Sequence, residues 1–424
     1  MTVLLLLQGH FGQGRKPLNL VEQFLSFGYL LFLPNFLIGL VGVIGLLCFK
    51  PAQALYSVVA MPFLVTFRIV SKGENQDALR ATIARCKAEM KSNPLFVYSI
   101  EVVIDGDRHF LYEDDPRVSI IRVPDDYQTP KLTRFKARAL HYAVMNSKHS
   151  DKTWTVYLDE ETQPTASGIQ GLCRMISEEE ESGRLRVGQG AILYNRTFSS
   201  SRFLTLADCI RTGDDFGRYY FQHLIGRPLF GLHGSWVVAR NDIVKSSGGF
   251  DVGPHGHITE DAHWALVLVQ NGIQTRWIDG YLEEQSTLSV LDFIRQRARW
   301  FTGMKQVAFN APVKTKWRLP MFFLVTIWAV GPFAVGYMIG NVFLGFRPPM
   351  LAQIPINFSF LYLISAYLIG LWTNLNAHGG FRWFELCGWS VVIVLLAPIF
   401  GIMEAMGVLW AIFIPQRGFH VVRK

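Results

Sequence analysis

The stretch Trp154-Thr155-Val156-Tyr157-Leu158-Asp159-Glu160-Glu161 decides the fold. A short β-branched and aromatic run stops on three acids, which reads as a buried strand ending at a polar edge. Upstream, the same rhythm repeats. Met61 to Val70 is a strand, and Asp77 to Met90 has helical periodicity. Leu95 to Ile104 and Val118 to Val123 are further strands, and Leu132 to Met145 is helical. Strands alternating with helices predict an α/β domain with a mostly parallel sheet. Ligands of such sheets bind beyond the carboxyl ends of the strands, where Asp105 and Asp159 fall. No GxGxxG or P-loop is present, so dinucleotide and Walker-type nucleotide readings are poor.

Outside this domain the chain turns apolar. The 424 residues are 50% hydrophobic and 17% charged, with a mean hydropathy of +0.23. That excludes a disordered chain or a small disulfide scaffold. The excess sits in Phe24–Cys48, Leu319–Phe346, Ile354–Leu371 and Leu386–Phe413, each near the ~20 residues that a bilayer crossing needs. Pro398 and Gly401 interrupt the last run, which reads equally as one kinked helix or a re-entrant pair. The expected organisation is an N-terminal segment with one span (1–50), a catalytic domain (51–318) and a membrane region of about three segments (319–424). The opening Met1–Gln8 is too short to span and lacks a basic leader.

The net charge is +8, and basic clusters (Arg15 and Lys16; Lys314, Lys316 and Arg318; Arg423 and Lys424) flank the apolar runs. They suit anchoring at a membrane surface. Nucleic-acid binding is not expected, because the basic residues are not interleaved with aromatics. The scattered cysteines lack metal spacing and suggest reduced thiols facing the cytosol, where the Asn195-Arg196-Thr197 sequon goes unused. Positive charge alone leaves the orientation ambiguous.

Three constellations carry chemistry. Asp159 and Glu161 form a D-x-E pair that either holds a hard divalent cation, Mg²⁺ or Mn²⁺, or is an ordinary acidic loop. Glu260-Asp261 precedes a helical run and is either a favourable helix start or a general base. Gln296-Arg297-Ala298-Arg299-Trp300 can grip a diphosphate and stack a sugar, or serve as an interfacial Trp/Arg belt. His263 is a third metal ligand or a first-turn polar residue.

Taken in order, the early Asp105, D-x-E, E-D, Q-x-x-R-W and flanking spans resemble membrane-bound glycosyltransferase family 2. Finer stretches are similar to its egghead-type β-1,4-mannosyltransferases: Lys136-Ala137-Arg138-Ala139-Leu140, Leu158-Asp159-Glu160-Glu161-Thr162, Gln189-Gly190, Asp214-Asp215-Phe216-Gly217, Pro228-Leu229-Phe230-Gly231 and His233-Gly234-Ser235-Trp236. His233 stands where that family's pattern has Lys.

The resemblance implies a GT-A (Rossmann-like) fold and inverting transfer of mannose from GDP-mannose to the glucose of glucosylceramide. It implies an integral membrane protein of the endoplasmic reticulum or Golgi with its catalytic domain in the cytosol. Asp261 would be the base. Asp159 and Glu161 would hold Mg²⁺ or Mn²⁺. Arg68, Ser71, Asp105, Lys136, Asp159, Gln296, Arg297 and Arg299 would bind the donor, and Glu260, Trp300 and Trp236 would face the acceptor. A processive polysaccharide synthase and a ceramide glucosyltransferase using a UDP-sugar share these motifs. From other classes, an inactive scaffold and a transporter remain as alternatives. A transporter calls for more intramembrane charge than Glu404.

Overall fold

A computed structural model describes residues 16–17, 19–50, 60–106, 109–112, 115–196, 201–346 and 350–414. The Met1–Gln8 opening, Arg15, Thr197 of the sequon and the Arg423-Lys424 end lie outside the described residues.

The chain enters through α1 (Leu20–Ser26), a 3-10 stretch (Phe27–Phe32) and α2 (Leu33–Cys48), which run on as one apolar rod. Next come β1 (Leu64–Ser71), α3 (Gln76–Ser92), β2 (Val97–Ile104), β3 (Val118–Arg122), α4 (Phe135–Met145) and β4 (Trp154–Asp159). Then follow β5 (Gln163–Pro164), α5 (Ala166–Ser182) and β6 (Val187–Leu193). α6 (Arg202–Asp214) runs through a π-helical turn (Asp215–Tyr219) into α7 (Tyr220–Leu224). β7 (Val237–Arg240), α8 (Asn241–Ser246), α9 (Glu260–Gln270) and β8 (Thr275–Glu283) complete the domain. α10 (Val290–Asn310) leads to the long helices α11 (Thr315–Leu344), α12 (Met350–His378) and α13 (Trp383–Phe413).

The sheet order is β3-β2-β1-β4-β7-β6-β8-β5. β3, β2, β1 and β4 are mutually parallel, and β7 runs antiparallel between β4 and β6. β1, β4 and the end of β2 are covered on both faces, so they read as near-continuous apolar runs, whereas the edge strand β3 is half-exposed. On one face Val65, Phe67 and Ile69 of β1 pack against Leu79 and Ile83 of α3 and Leu172 and Ile176 of α5. On the other, Val70 and Val103 meet Leu140 and Val144 of α4 and Trp264 and Leu268 of α9. Each such side chain contributes about 1.5–3 kcal/mol when fully buried.

Register puts the functional edge in place. Val70 lies opposite Asp159, Ser71 lies opposite Ile104, and the Asp105 N–H donates to the Ser71 carbonyl at 3.1 Å. The ends of β1, β2 and β4 therefore share one rim.

One expectation is revised, and of two alternatives one is seen. The helix read from Leu132 begins at Phe135, because Leu132 holds φ of 58°, outside the helical region. The last apolar run is a single helix through Pro398, as α11 is through Pro320 and Pro332. Among the described residues four helical rods, Leu20–Cys48, Thr315–Leu344, Ala352–Ala377 and Trp383–Phe413, are long and apolar enough to cross a membrane. α2 packs tightly on the π turn: a Cβ at Gly45 would stand 1.8 Å from the Gly217 carbonyl oxygen. Only a glycine admits that approach.

Candidate active site

A cavity of about 590 Å³ opens beyond the rim of the sheet. Its polar end is formed by Ser71, Asp105, Asp159, Glu160 and Glu161, and its roof by Glu260 and Asp261 at the start of α9. α10 lends Gln296, Arg297, Arg299 and Trp300, and the far wall comes from the apolar helices through Ile38, Leu324, Trp328, Leu363 and Ala397.

Lys136, in the first turn of α4, knots the polar end together. Its Nζ donates to Asp159 Oδ1 at 2.5 Å and to the Gly234 carbonyl at 2.6 Å, and lies 3.4 Å from Glu260 Oε1. Burial works against the ammonium, but Asp159 and Glu260 outweigh it and hold Lys136 above its ordinary value. Burial, and then the charge of Glu260, push Asp261 up to about 7, with Lys136 pulling the other way. Asp261 Oδ1 accepts from the Ala262 N–H at 2.7 Å. A carboxylate near neutrality is poised to accept a proton at working pH.

Gly234 separates the two halves. A Cβ there would lie 3.2 Å from both Asp261 Oδ2 and Lys136 Nζ. The flanking backbone is strained: Phe135, beside Lys136, and Trp236, beyond Gly234, both have φ of 58°. Non-glycine residues in this left-handed region persist where packing over-determines them, and they cluster at functional sites.

Around this core the acids are individually held. Glu160 accepts from Asn75 Nδ2 at 2.5 Å and closely from the Ser71 hydroxyl. Burial and the neighbouring Glu161 push it up to about 7. Asp105 is gripped by both Nε and Nη2 of Arg138, the Nε contact being 3.1 Å. The Asp159 N–H donates to the Ser235 hydroxyl at 3.1 Å. Arg299 faces Asp159, Glu260, Asp261 and Glu161, and burial holds it below its ordinary value despite them.

For a divalent cation, Asp159 and Glu161 offer carboxylate oxygens on the cavity wall. Among the described residues no three His, Cys, Asp or Glu side chains converge as a metal cage. That pattern fits Mg²⁺, which is typically bound by one or two carboxylates and completed by phosphate and water.

Some expected contacts fall elsewhere. Arg68 is buried within β1, paired to its cross-strand neighbour Glu101 at 2.6 Å, and does not reach the cavity. Trp236 is in the core, its Nε1 2.3 Å from where a Gly190 Cβ would be, and does not line the cavity. His263 is buried against Gly256 and away from the cavity lining, so it stands apart from the D-x-E pair. Arg297 touches the cavity but commits Nη2 to Asp208 at 2.7 Å, Nε to Glu404 at 2.6 Å and Nη1 to Gln296 at 2.8 Å. This leaves Arg299 as the α10 guanidinium directed at the acids.

His233, the departure from the Lys pattern, pairs with buried Asp215 at 2.5 Å and stacks on Tyr219 at 4.3 Å. Asp214, in the quoted Asp214-Asp215-Phe216-Gly217 stretch, lines the cavity, and so do Arg211 and Arg218, with Asp208 behind Arg211; these three carry no motif in the sequence. The π turn at Asp215–Tyr219 lies beside them, and such turns gather at functional sites.

The family profile described as "Glycosyl transferase family group 2" matches residues 154–416, from β4 through the last apolar helix. The chain belongs to this glycosyltransferase family. The polar rim, D-x-E, Asp261 and the α10 motif are thus parts of a glycosyltransferase, with the α/β domain and flanking apolar helices that the family resemblance implied. Among curated relatives, the chain is 28% identical over 419 residues to "Beta-1,4-mannosyltransferase egh" of Drosophila melanogaster, covering 98% of this chain and 89% of that protein. It is also 28% identical over 414 residues to "Beta-1,4-mannosyltransferase bre-3" of Caenorhabditis elegans, covering 94% and 87%. Among solved structures, a mannosyltransferase from Pyrobaculum calidifontis, in complex with GDP-Man and Mn²⁺, is similar with a TM-score of 0.47 and 12% identity, over 82% of this chain and 99% of that one.

Proposed function

We propose that the protein transfers a single mannosyl residue from GDP-mannose to the glucose of glucosylceramide, forming a β-1,4 linkage with inversion. The observation that carries this reading is the placement of Asp261, raised to about 7, across Gly234 from the Lys136–Asp159 pair in one cavity. The relatives' names support mannosyl transfer and the linkage.

Asp261 takes the proton from the acceptor hydroxyl as its oxygen attacks the anomeric carbon, and the diphosphate leaves on the opposite face. A single displacement needs one base and no enzymatic nucleophile. Lys136 and Arg299 supply positive charge where the diphosphate departs. Asp159 and Glu161 would hold Mg²⁺ or Mn²⁺, which would neutralise that diphosphate. Ser71, Asp105 and Gln296 line the donor side, and Glu260 and Trp300 the acceptor side.

The apolar wall supports a lipid-linked acceptor. Lifting acyl chains into water costs about 0.8 kcal/mol per CH₂, so the site comes to the membrane instead. The free thiols support a catalytic face in the cytosol, on endoplasmic reticulum or Golgi membranes.

The test is purified protein in detergent with glucosylceramide and labelled GDP-mannose, UDP-glucose or UDP-N-acetylglucosamine, with and without EDTA. Transfer of one sugar from GDP-mannose alone, lost in EDTA and restored by Mn²⁺, is expected. Transfer only from a UDP-sugar, or a ladder of products, contradicts the reading. Full activity in EDTA removes the metal role of Asp159 and Glu161.

A further inference from the structure

α13 carries a single acid in its apolar stretch beyond Glu385, and that acid is not facing lipid. Glu404 lines the cavity, 31% exposed, and its Oε1 accepts from Arg297 Nε at 2.6 Å. Arg297 is 2% exposed and also bonds Asp208 Oδ1 at 2.7 Å. Asp208 in turn lies 3.8 Å from Arg211. Two guanidiniums and two carboxylates thus form one charge-balanced cluster assembled from α6, α10 and α13, buried at Arg297 and Asp208 and open to the cavity at Glu404.

Both guanidiniums are over the same ring. Arg297 Cζ is 4.4 Å and Arg211 Cζ is 4.6 Å from the Trp300 centroid. Arg297 also lies over Phe293 at 4.0 Å, and Arg211 over Tyr194 at 4.0 Å, so neither cation is loose. Burying the Arg297–Asp208 pair is costly, and apolar side chains pack such helices at least as well. Acids within membrane helices are rare and mark function. What this cluster fixes is the indole at the cavity wall.

We propose that Glu404 is a positioning residue for the acceptor: from the membrane helix it holds Arg297, and through Arg297 it sets the place of Trp300. The inference rests on reading Trp300 as part of the acceptor side. It makes the seating of α13 against α10 a determinant of how a membrane-borne acceptor is held, while the donor acids at the ends of β2 and β4 lie outside the cluster and Gln296, bonded to Arg297, is its link to the donor side.

The test is a double-mutant cycle of Glu404→Ala and Trp300→Ala, with Glu404→Gln as the conservative variant. Glu404→Ala raises KM for glucosylceramide about fivefold or more while KM for GDP-mannose and donor hydrolysis without acceptor stay within about twofold. The double variant is no worse than Trp300→Ala alone, since coupled residues are non-additive. Glu404→Gln, which keeps an acceptor for Arg297, lies between. A second readout needs no turnover. The difference in fluorescence between the wild type and Trp300→Phe isolates Trp300 among the 11 tryptophans. In the Glu404→Ala background that difference shifts to the red and is quenched more by acrylamide. Additive effects on KM, an equal fall in donor hydrolysis and transfer, or an unchanged Trp300 signal overturns the proposal. If the wild type ignores GDP-mannose or glucosylceramide, the proposed function fails instead, and the fluorescence still decides the role of Glu404.

Discussion

The ammonium of Lys136 stands 2.5 Å from the carboxylate of Asp159, at the carboxyl end of β4. The same ammonium is 3.4 Å from Glu260 and lowers the proton affinity of Asp261. One side chain from α4 therefore links the acid at the end of β4 to the two acids at the start of α9.

Replacing Lys136 by Met removes the cation that favours ionised Asp261. The carboxyl then holds its proton to higher pH. The acid limb of the kcat/KM profile moves alkaline, and kcat falls by about 10²-fold with the loss of charge at the leaving diphosphate. A limb that stays in place, or moves to lower pH, contradicts the link between Lys136 and the base.

Asp261 also affects stability. Its carboxyl is raised from 3.8 to about 7 in the folded protein, so the native state binds the extra proton across that range. Ionising it costs stability that is absent below pH 3.8, grows as pH rises and is complete above 7. Asp261→Asn removes that cost. The variant melts at a higher temperature than the wild type at pH 8, and the gap narrows as pH falls toward 4. Thermal melts in detergent at a series of pH values read this directly, and a gap that widens on acidification refutes the raised carboxyl.

At Gly234 the added methyl of Ala meets Asp261 Oδ2 and Lys136 Nζ, each at 3.2 Å. The neighbours must yield a few tenths of an ångström within a bonded network. Misplacement on this scale costs about 10–100-fold in kcat without unfolding the domain. Steady-state kinetics beside a melting curve separates the two effects. An unchanged kcat shows that the spacing across Gly234 is slack.

The contact of α2 with the π turn is similarly exacting. Gly45→Ala drives a Cβ to 1.8 Å from the Gly217 carbonyl, whereas Gly331 in α11 has open space around its Cβ position. Gly45→Ala destabilises by about 1–3 kcal/mol, the usual cost of overpacking. Gly331→Ala leaves the melting temperature unchanged. Equal behaviour of the two variants contradicts the close seating of α2.

Much of the polar rim was legible because it is local. Asp105 and Asp159 end apolar strands, and parallel strands with matched register bring such ends together. The four apolar rods follow from length and composition alone. What stayed hidden depends on partners far apart in sequence. Asp208, Arg297 and Glu404 each look like isolated charges, and only the packing of α6, α10 and α13 makes them one cluster. The Gln296–Trp300 motif makes Arg297 look like a phosphate ligand beside Arg299, although three of its nitrogens are already committed. Arg68 shows the opposite case. A charge in the middle of β1 has a visible explanation in Glu101 at the matching position of β2, once the register is considered.

The proposed mechanism turns on Asp261 as the base of an inverting mannosyl transfer. Its most direct test is the product made from GDP-mannose and glucosylceramide by wild type and Asp261→Asn, with donor binding measured on both. The wild type should yield one β-linked mannose with an acid limb near pH 7. The Asn variant should bind GDP-mannose as tightly yet transfer about 10²–10⁴-fold more slowly. An α-linked product, or undiminished transfer by Asp261→Asn, would contradict the account.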